Sequence, residues 1–199
     1  MRFLISVFKR FQFKKLTGLD VSLPTEKIIK HYQEIEFIKR DITEFSLNDK
    51  YDIVYSNHVL EHMGPLDLDS HILSIKKSLN YDGKFIFNLP NKLFGPSDIT
   101  RIKDFTYTNS IPAVGSHFFE STYAEVIDKL REHGFDQFYS PIPHTFIRHV
   151  FPKIRIRSEI IAKIEQSRSF IRFLHLFKIN GRCRLNYEIS IIASCSKNE

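Results

Sequence analysis

An alternation that runs to residue 90 constrains this chain more than any other feature. Short apolar runs recur between helical patterns. Leu16 to Asp20, Ile35 to Asp41, Asp52 to Ser56 and Lys84 to Leu89 each read as a strand. Lys27 to Gln33 reads as a helix with Ile28, Ile29 and Tyr32 on one side, introduced by Ser22 and Pro24. Leu60 to Met63 opens a helical region, and Leu66 to Leu79 sets Ile72, Ile75 and Leu79 at helical spacing. Asp82-Gly83 predicts a turn before the last of these strands. Such alternation builds a mainly parallel sheet with helices on both faces. Sheets of that kind take ligands at the carboxyl ends of their strands.

Beyond residue 90 the pattern loosens. Residues 90–116 are loop-rich. Ser121 to His133 predicts an amphipathic helix with Tyr123, Val126, Ile127 and Leu130 on its apolar side, closed by Gly134. Phe135 to Tyr139 and Tyr187 to Ser194 read as strands. Residues 144–184, between them, form a basic, mostly helical insertion. Its apolar stripe is Ile160, Ile161, Ile164, Phe170, Ile171, Leu174 and Phe177. Core packing is the default explanation of the stripe; a membrane-surface contact or a substrate lid is the functional one. No internal repeat interrupts the chain, and a single domain over residues 1–199 is expected.

Composition narrows the class. At 42% hydrophobic and 26% charged, the 199 residues match ordinary soluble globular usage. Two cysteines, Cys183 and Cys195, make neither a metal spacing nor a disulfide framework, which favours reduced thiols in a cytoplasmic protein. The N-terminal apolar run is broken at Lys9 and has no cleavage site after it, unlike a signal peptide. The net charge is +6, unevenly spread. Residues 1–15 carry five basic residues and no acid, and residues 148–184 carry ten against Glu159 and Glu165. Solvated helix faces explain this plainly, and an anionic partner explains it more sharply. No nucleic-acid-binding motif accompanies the charge, so nucleic acid is not expected.

Three stretches carry a more specific signal. They are Gly18-Leu19-Asp20-Val21-Ser22, then Tyr51-Asp52-Ile53-Val54-Tyr55-Ser56 followed by Leu60-Glu61-His62, then Gly83 to Leu89 running into Pro90-Asn91. In this order and spacing the chain resembles the class I S-adenosylmethionine-dependent methyltransferases, from that family's second strand onward. The resemblance implies a Rossmann-like α/β fold with a helical insertion before the last strand, and S-adenosylmethionine as cofactor. It implies that Asp20, with Val21 beside it, receives the ribose hydroxyls, and that Asp41 and Ile42 hold the adenine. Ser56 and Asn57 would meet the methionine end. His58, His62 and His117 would lie on the acceptor side as candidate bases for an in-line methyl transfer to a sugar, lipid or quinone-like small molecule. Read from the residues alone, Asp20 also suits a helix cap and Asp41 a strand-ending turn.

The same resemblance marks a departure. The family's first strand ends in a Gly-x-Gly loop whose backbone approaches the cofactor closely. None of the seven glycines here forms Gly-x-Gly, and the missing loop should end close to Met1. A truncated chain is the expectation, and a non-catalytic scaffold that binds the cofactor poorly is the alternative to an enzyme. Exposed sheet edges would favour homo-oligomers. His58-Val59-Leu60-Glu61-His62 also fits the H-x-x-E-H zinc pattern, but it follows a buried strand rather than lying mid-helix. A weaker variant has Glu61 and His62 holding a divalent ion near the substrate. No metal is expected.

Overall fold

The computed structural model describes residues 13–21, 35–94, 117–142, 150–151, 153–176, 178–179, 182–183 and 187–196. The helix expected over Lys27 to Gln33, most of the 90–116 loop, and Phe177 lie outside them. The chain forms two compact units, residues 1–45 and 46–199.

In the first unit, β1 (Leu16–Asp20) and β2 (Ile35–Lys39) pair in parallel, with Leu16 opposite Ile35 and Asp20 opposite Lys39. Glu36 fixes the pair from its exposed side, accepting from Thr17 Oγ1 at 3.1 Å and Lys15 Nζ at 2.7 Å. The Arg40 N–H donates to the Asp20 carbonyl at 3.2 Å and carries the ladder past the strand ends.

The second unit is built on a five-stranded mixed sheet. β3 (Tyr51–Asn57) leads through a 3-10 turn (Leu60–His62) into α1 (Pro65–Ser78), which returns the chain to β4 (Leu79–Leu89), parallel to β3. The predicted Asp82-Gly83 turn is instead part of β4. Pairing shifts register between Tyr51 and Ile53, whose partners are Leu79 and Lys84, so the extra residues of β4 form a bulge. Pairing with β3 outweighs the local turn signal there. A Cβ at Gly83 would sit 2.9 Å from the Asn80 carbonyl oxygen, so the bulge needs glycine.

α2 (Tyr123–Glu132) then precedes β5 (Gln137–Pro141), β6 (Arg155–Arg157), α3 (Ser158–Glu165) and α4 (Arg168–Leu176). A small antiparallel pair, β7 (Lys178–Ile179) and β8 (Arg182–Cys183), leads on to β9 (Ile189–Ser194). The sheet order is β3-β4-β9-β5-β6, with β9 antiparallel to both its neighbours. Alternate residues of the central strands are sealed: Phe85, Phe87 and Leu89 on β4, Ile189, Ile191 and Ala193 on β9. Leu68, Ile72 and Ile75 of α1 and Val126, Ile127 and Leu130 of α2 complete the buried set.

α2 has unusually complete ends. Thr122 Oγ1 accepts from the Glu125 N–H at 3.3 Å while Glu125 Oε2 accepts from the Thr122 N–H at 2.8 Å, a reciprocal capping box. At the other end Gly134 takes φ +79°, and Lys76 Nζ of α1 donates to the His133 carbonyl at 2.8 Å.

The expected apolar stripe of the insertion is corrected by the structure. On α3 the buried residues are Ser158, Ala162 and Glu165, while Ile160 and Ile164 face outward, each about half exposed. Polar partners cause the inversion. Ser158 Oγ meets Ser140 Oγ at 2.7 Å, and the Glu165 carboxylate accepts from Asn91 Nδ2 at 2.6 Å and from the Tyr123 N–H at 2.8 Å. Burial pushes the Glu165 carboxyl above its usual range, and those two donors pull the other way. On α4 the stripe divides: Leu174 and Phe170 lie on Phe94, Leu93 and Tyr187, while Ile171 is exposed. None of the helices among the described residues is long and apolar enough to cross a membrane.

Glu165→Ala strands two buried donors, and urea denaturation should register a loss of about 2–3 kcal/mol. Ile164→Ser, on the outward side of the same helix, should change stability by no more than about 0.5 kcal/mol.

Candidate functional site

The sequence-predicted residues fall on both units. Asp20 ends β1, and Val21 after it is 56% exposed. Asp41 follows β2 and is exposed; its Oδ1 accepts from the Thr43 N–H and from Thr43 Oγ1, each at 2.9 Å. The Thr43 N–H holds the Asp41 carboxyl below its usual range. Ile42 is half-buried.

In the second unit, a polar chain crosses the sheet where β3 and β4 end. Asn88 Nδ2 donates to Asn57 Oδ1 at 3.0 Å and to the Tyr55 hydroxyl oxygen at 3.2 Å. Asn88 Oδ1 accepts from Ser190 Oγ at 2.6 Å. Ser56 is buried beside this chain and pairs with Phe87, and Asn57 is exposed. These are the carboxyl ends of two parallel strands, the place where open α/β sheets bind ligands.

The chain then turns sharply. His58 takes φ 51°, the sole left-handed non-glycine among the described residues. Its N–H donates to the Asn88 carbonyl at 3.0 Å, so the ladder continues one residue past β3. Its ring is held by two carboxylates: Nδ1 lies 3.1 Å from Glu61 Oε1 and Nε2 lies 3.3 Å from Glu188 Oε1. Glu61 is 1% exposed, and its Oε2 is buried without a hydrogen-bond partner among the described residues. The Glu61 carbonyl accepts from the Phe118 N–H at 2.6 Å and the Phe119 N–H at 3.1 Å.

Those two bonds bring residues 117–120 against the turn. The rings of His62 and His117 stand edge to face, 4.9 Å between centroids. His117 Nδ1 lies 2.9 Å from Oε1 of Glu120, whose side chain is 2% exposed. A carboxylate oxygen of Glu61 and ring nitrogens of His62 and His117 all lie within 4.8 Å of one another, the reach from which a divalent ion could be held. The structure thus gathers His58, His62 and His117, with Ser56 and Asn57 on the adjoining strand end.

Three residues of this cluster escaped the sequence: Asn88, Glu120 and Glu188. Glu120 had a legible signal, because His117-Phe118-Phe119-Glu120 repeats the His58-x-x-Glu61 spacing. Glu188 had none, since 130 residues separate it from His58.

Comparison with known proteins identifies the family and the fold. A family model described as a methyltransferase domain matches residues 3–140. No curated protein sequence matches the chain significantly. Among solved structures, the 1,6-didemethyltoxoflavin-N1-methyltransferase of Burkholderia thailandensis, with its substrate and S-adenosylhomocysteine bound, aligns at TM-score 0.55 and 14% identity, over 96% of this chain and 66% of that one. A Listeria monocytogenes protein assigned as an S-adenosylmethionine-dependent methyltransferase aligns at TM-score 0.54 and 16% identity, over 92% and 81%. The S-adenosylmethionine-dependent methyltransferase SibL aligns at TM-score 0.53 and 17% identity, over 71% and 43%. The chain therefore spans just under two thirds of the Burkholderia enzyme and well under half of SibL. The family match over more than half the chain, on a shared Rossmann-like fold, makes this protein a member of the class I S-adenosylmethionine-dependent methyltransferase family.

Proposed function

We propose that the chain transfers a methyl group from S-adenosylmethionine to a small-molecule acceptor of the sugar, lipid or quinone-like class, with His117 as general base. The His117–Glu120 pair carries this reading. A buried carboxylate on Nδ1 fixes the imidazole and stabilises the cation it becomes on taking a proton. His58 has both ring nitrogens on carboxylates, which suits a scaffold better than a base.

The donor set fits the nucleoside half of the cofactor. Asp20 and Asp41 put two carboxylates at the carboxyl ends of a parallel pair, and carboxylates accept from ribose hydroxyls and an adenine amino group. Val21 and Ile42 supply apolar neighbours. Ser56 and Asn57, which the family resemblance gives to the methionine end, lie in the second unit, and no Gly-x-Gly stands in the sequence. When bound, the cofactor supplies an electrophilic methyl group, so the protein's share is alignment and proton removal. His117, oriented by Glu120, takes the acceptor proton. His62, edge-on to His117, bounds the acceptor side.

Calorimetric titration of the folded chain with S-adenosylmethionine should give heat at ~100 μM protein. Silence there, with native circular dichroism, would favour the non-catalytic scaffold. Methyl transfer from labelled cofactor into a panel of phenolic, sugar and lipid acceptors then separates the histidines. His117→Gln should lower the rate by about 10²-fold or more with cofactor affinity unchanged. His58→Asn should instead lower thermal stability.

The Glu61, His62 and His117 cluster favours a second reading, in which a divalent ion polarises the acceptor oxygen. EDTA distinguishes the two. General-base catalysis leaves the rate unchanged, whereas the metal reading requires a drop that added cation reverses.

A further inference from the structure

Residues 150–176 carry an outer surface that methyl transfer does not use. Eight of the sixteen exposed large hydrophobic side chains among the described residues fall in this stretch. The helices explain which ones. α3 buries Ser158, Ala162 and Glu165, so Ile160, Lys163 and Ile164 lie on the opposite side at i, i+3 and i+4 spacing. α4 buries Leu174 and packs Phe170, which turns Ile171, Arg172 and Leu176 outward. Leu176 is 81% exposed. Val150, Phe151 and Ile154 add a third exposed apolar group just before β6.

The charge on this stretch is one-sided. Lys153, Arg155, Arg157, Lys163, Arg168 and Arg172 are all exposed. The acids are Glu159 and Glu165. Glu165 is buried, and Glu159 is engaged by Arg131 at 3.3 Å and Arg157 at 3.6 Å. Within residues 150–176, basic and aliphatic side chains therefore interleave among the exposed residues and neither carboxylate is exposed. The exposed acid beside Ile160 and Lys163 is Asp128 of α2, which Arg131 engages at 3.4 Å.

Partner classes differ in what they ask of such a surface. A protein interface is depleted of charge at its core, whereas here Lys163 sits between Ile160 and Ile164. Nucleic acid would use the cations and leave the aliphatic side chains in water. An anionic bilayer surface uses both, because aliphatic groups enter the headgroup–acyl boundary while Lys and Arg reach phosphates. We propose that residues 150–176 dock the protein on a membrane surface carrying anionic phospholipid. This contact is independent of methyl transfer and would hold for a chain that transfers none.

Flotation of the full chain with vesicles tests it. Vesicles of phosphatidylcholine alone are compared with vesicles containing roughly one third phosphatidylglycerol. The protein should float with the anionic vesicles and not the neutral ones, and raising salt to ~0.5 M should release it. Lys163→Glu/Arg172→Glu should lower partitioning by at least about fivefold for each residue changed. Ile160→Ser/Ile164→Ser should lower it at unchanged circular dichroism. Equal flotation on neutral vesicles, no flotation, or insensitivity to both double variants overturns the proposal. So does tighter binding to duplex DNA or RNA than to anionic vesicles. A dimer in light scattering that Ile160→Ser/Ile164→Ser abolishes also overturns it, by assigning the apolar face to a second copy.

Discussion

Glu61 is the residue on which the histidine cluster depends, and it acts through both its side chain and its main chain. The side chain, sealed from solvent, holds His58. The carbonyl takes the Phe118 and Phe119 N–H groups and so brings His117 to the turn. Burying a carboxylate costs free energy unless donors meet it, and here one oxygen meets His58 while the other has no partner among the described residues. The left-handed backbone of His58 adds strain of about 1–3 kcal/mol. That conformation is sustained by the Asn88 ladder bond and the two carboxylates on its ring.

How far the sequence was legible depended on the range of the interactions that decide each element. The buried face of α2 was readable because apolar periodicity is itself the record of burial. The capping box of α2 lies within four residues, so Thr122 and Glu125 are visible as a pair. The outward Ile160 and Ile164 were not, because what turns α3 over is long-range. Ser158 needs Ser140, and Glu165 needs Asn91 and the Tyr123 N–H. Local hydrophobicity says isoleucine goes inward, and the buried partners of two polar residues overrule it. The Asp82-Gly83 step failed in the same way, since a strand pairing 30 residues away absorbed a local turn signal.

The site shows the same division. The sequence names the histidines of this cluster but not the carboxylates that hold them. His58, expected to face the reacting centre, has a ring engaged by Glu61 and Glu188. His117 gained weight from Glu120, a carboxylate unremarkable in sequence and decisive once it is 2% exposed and 2.9 Å from an imidazole. Asp41 bends back on Thr43 as a strand-ending turn residue does, and that bond holds its carboxyl below the usual range.

Rigidity in the second unit then follows from where residues 117–121 are clamped. One end is held by the Glu61 carbonyl, and the other by the Ser121 carbonyl, which accepts from the Lys92 N–H at 3.0 Å. Asn91, paired with Ser121 in an isolated bridge, is itself bound by Glu165, and Glu165 also receives the first N–H of α2. One buried carboxylate of α3 thus fixes Asn91 and the start of α2, on the Ser121 side of the His117–Glu120 pair. Preorganised side chains need such a supporting layer, because a misplacement near 1 Å is enough to lose much of a rate. It follows that α3 has two unrelated tasks on its two sides. The inward side, with Ser158, Ala162 and Glu165, must stay fixed for the site to keep its geometry. The outward side, with Ile160, Lys163 and Ile164, bears on neither, which leaves it open to a contact that the chemistry does not constrain.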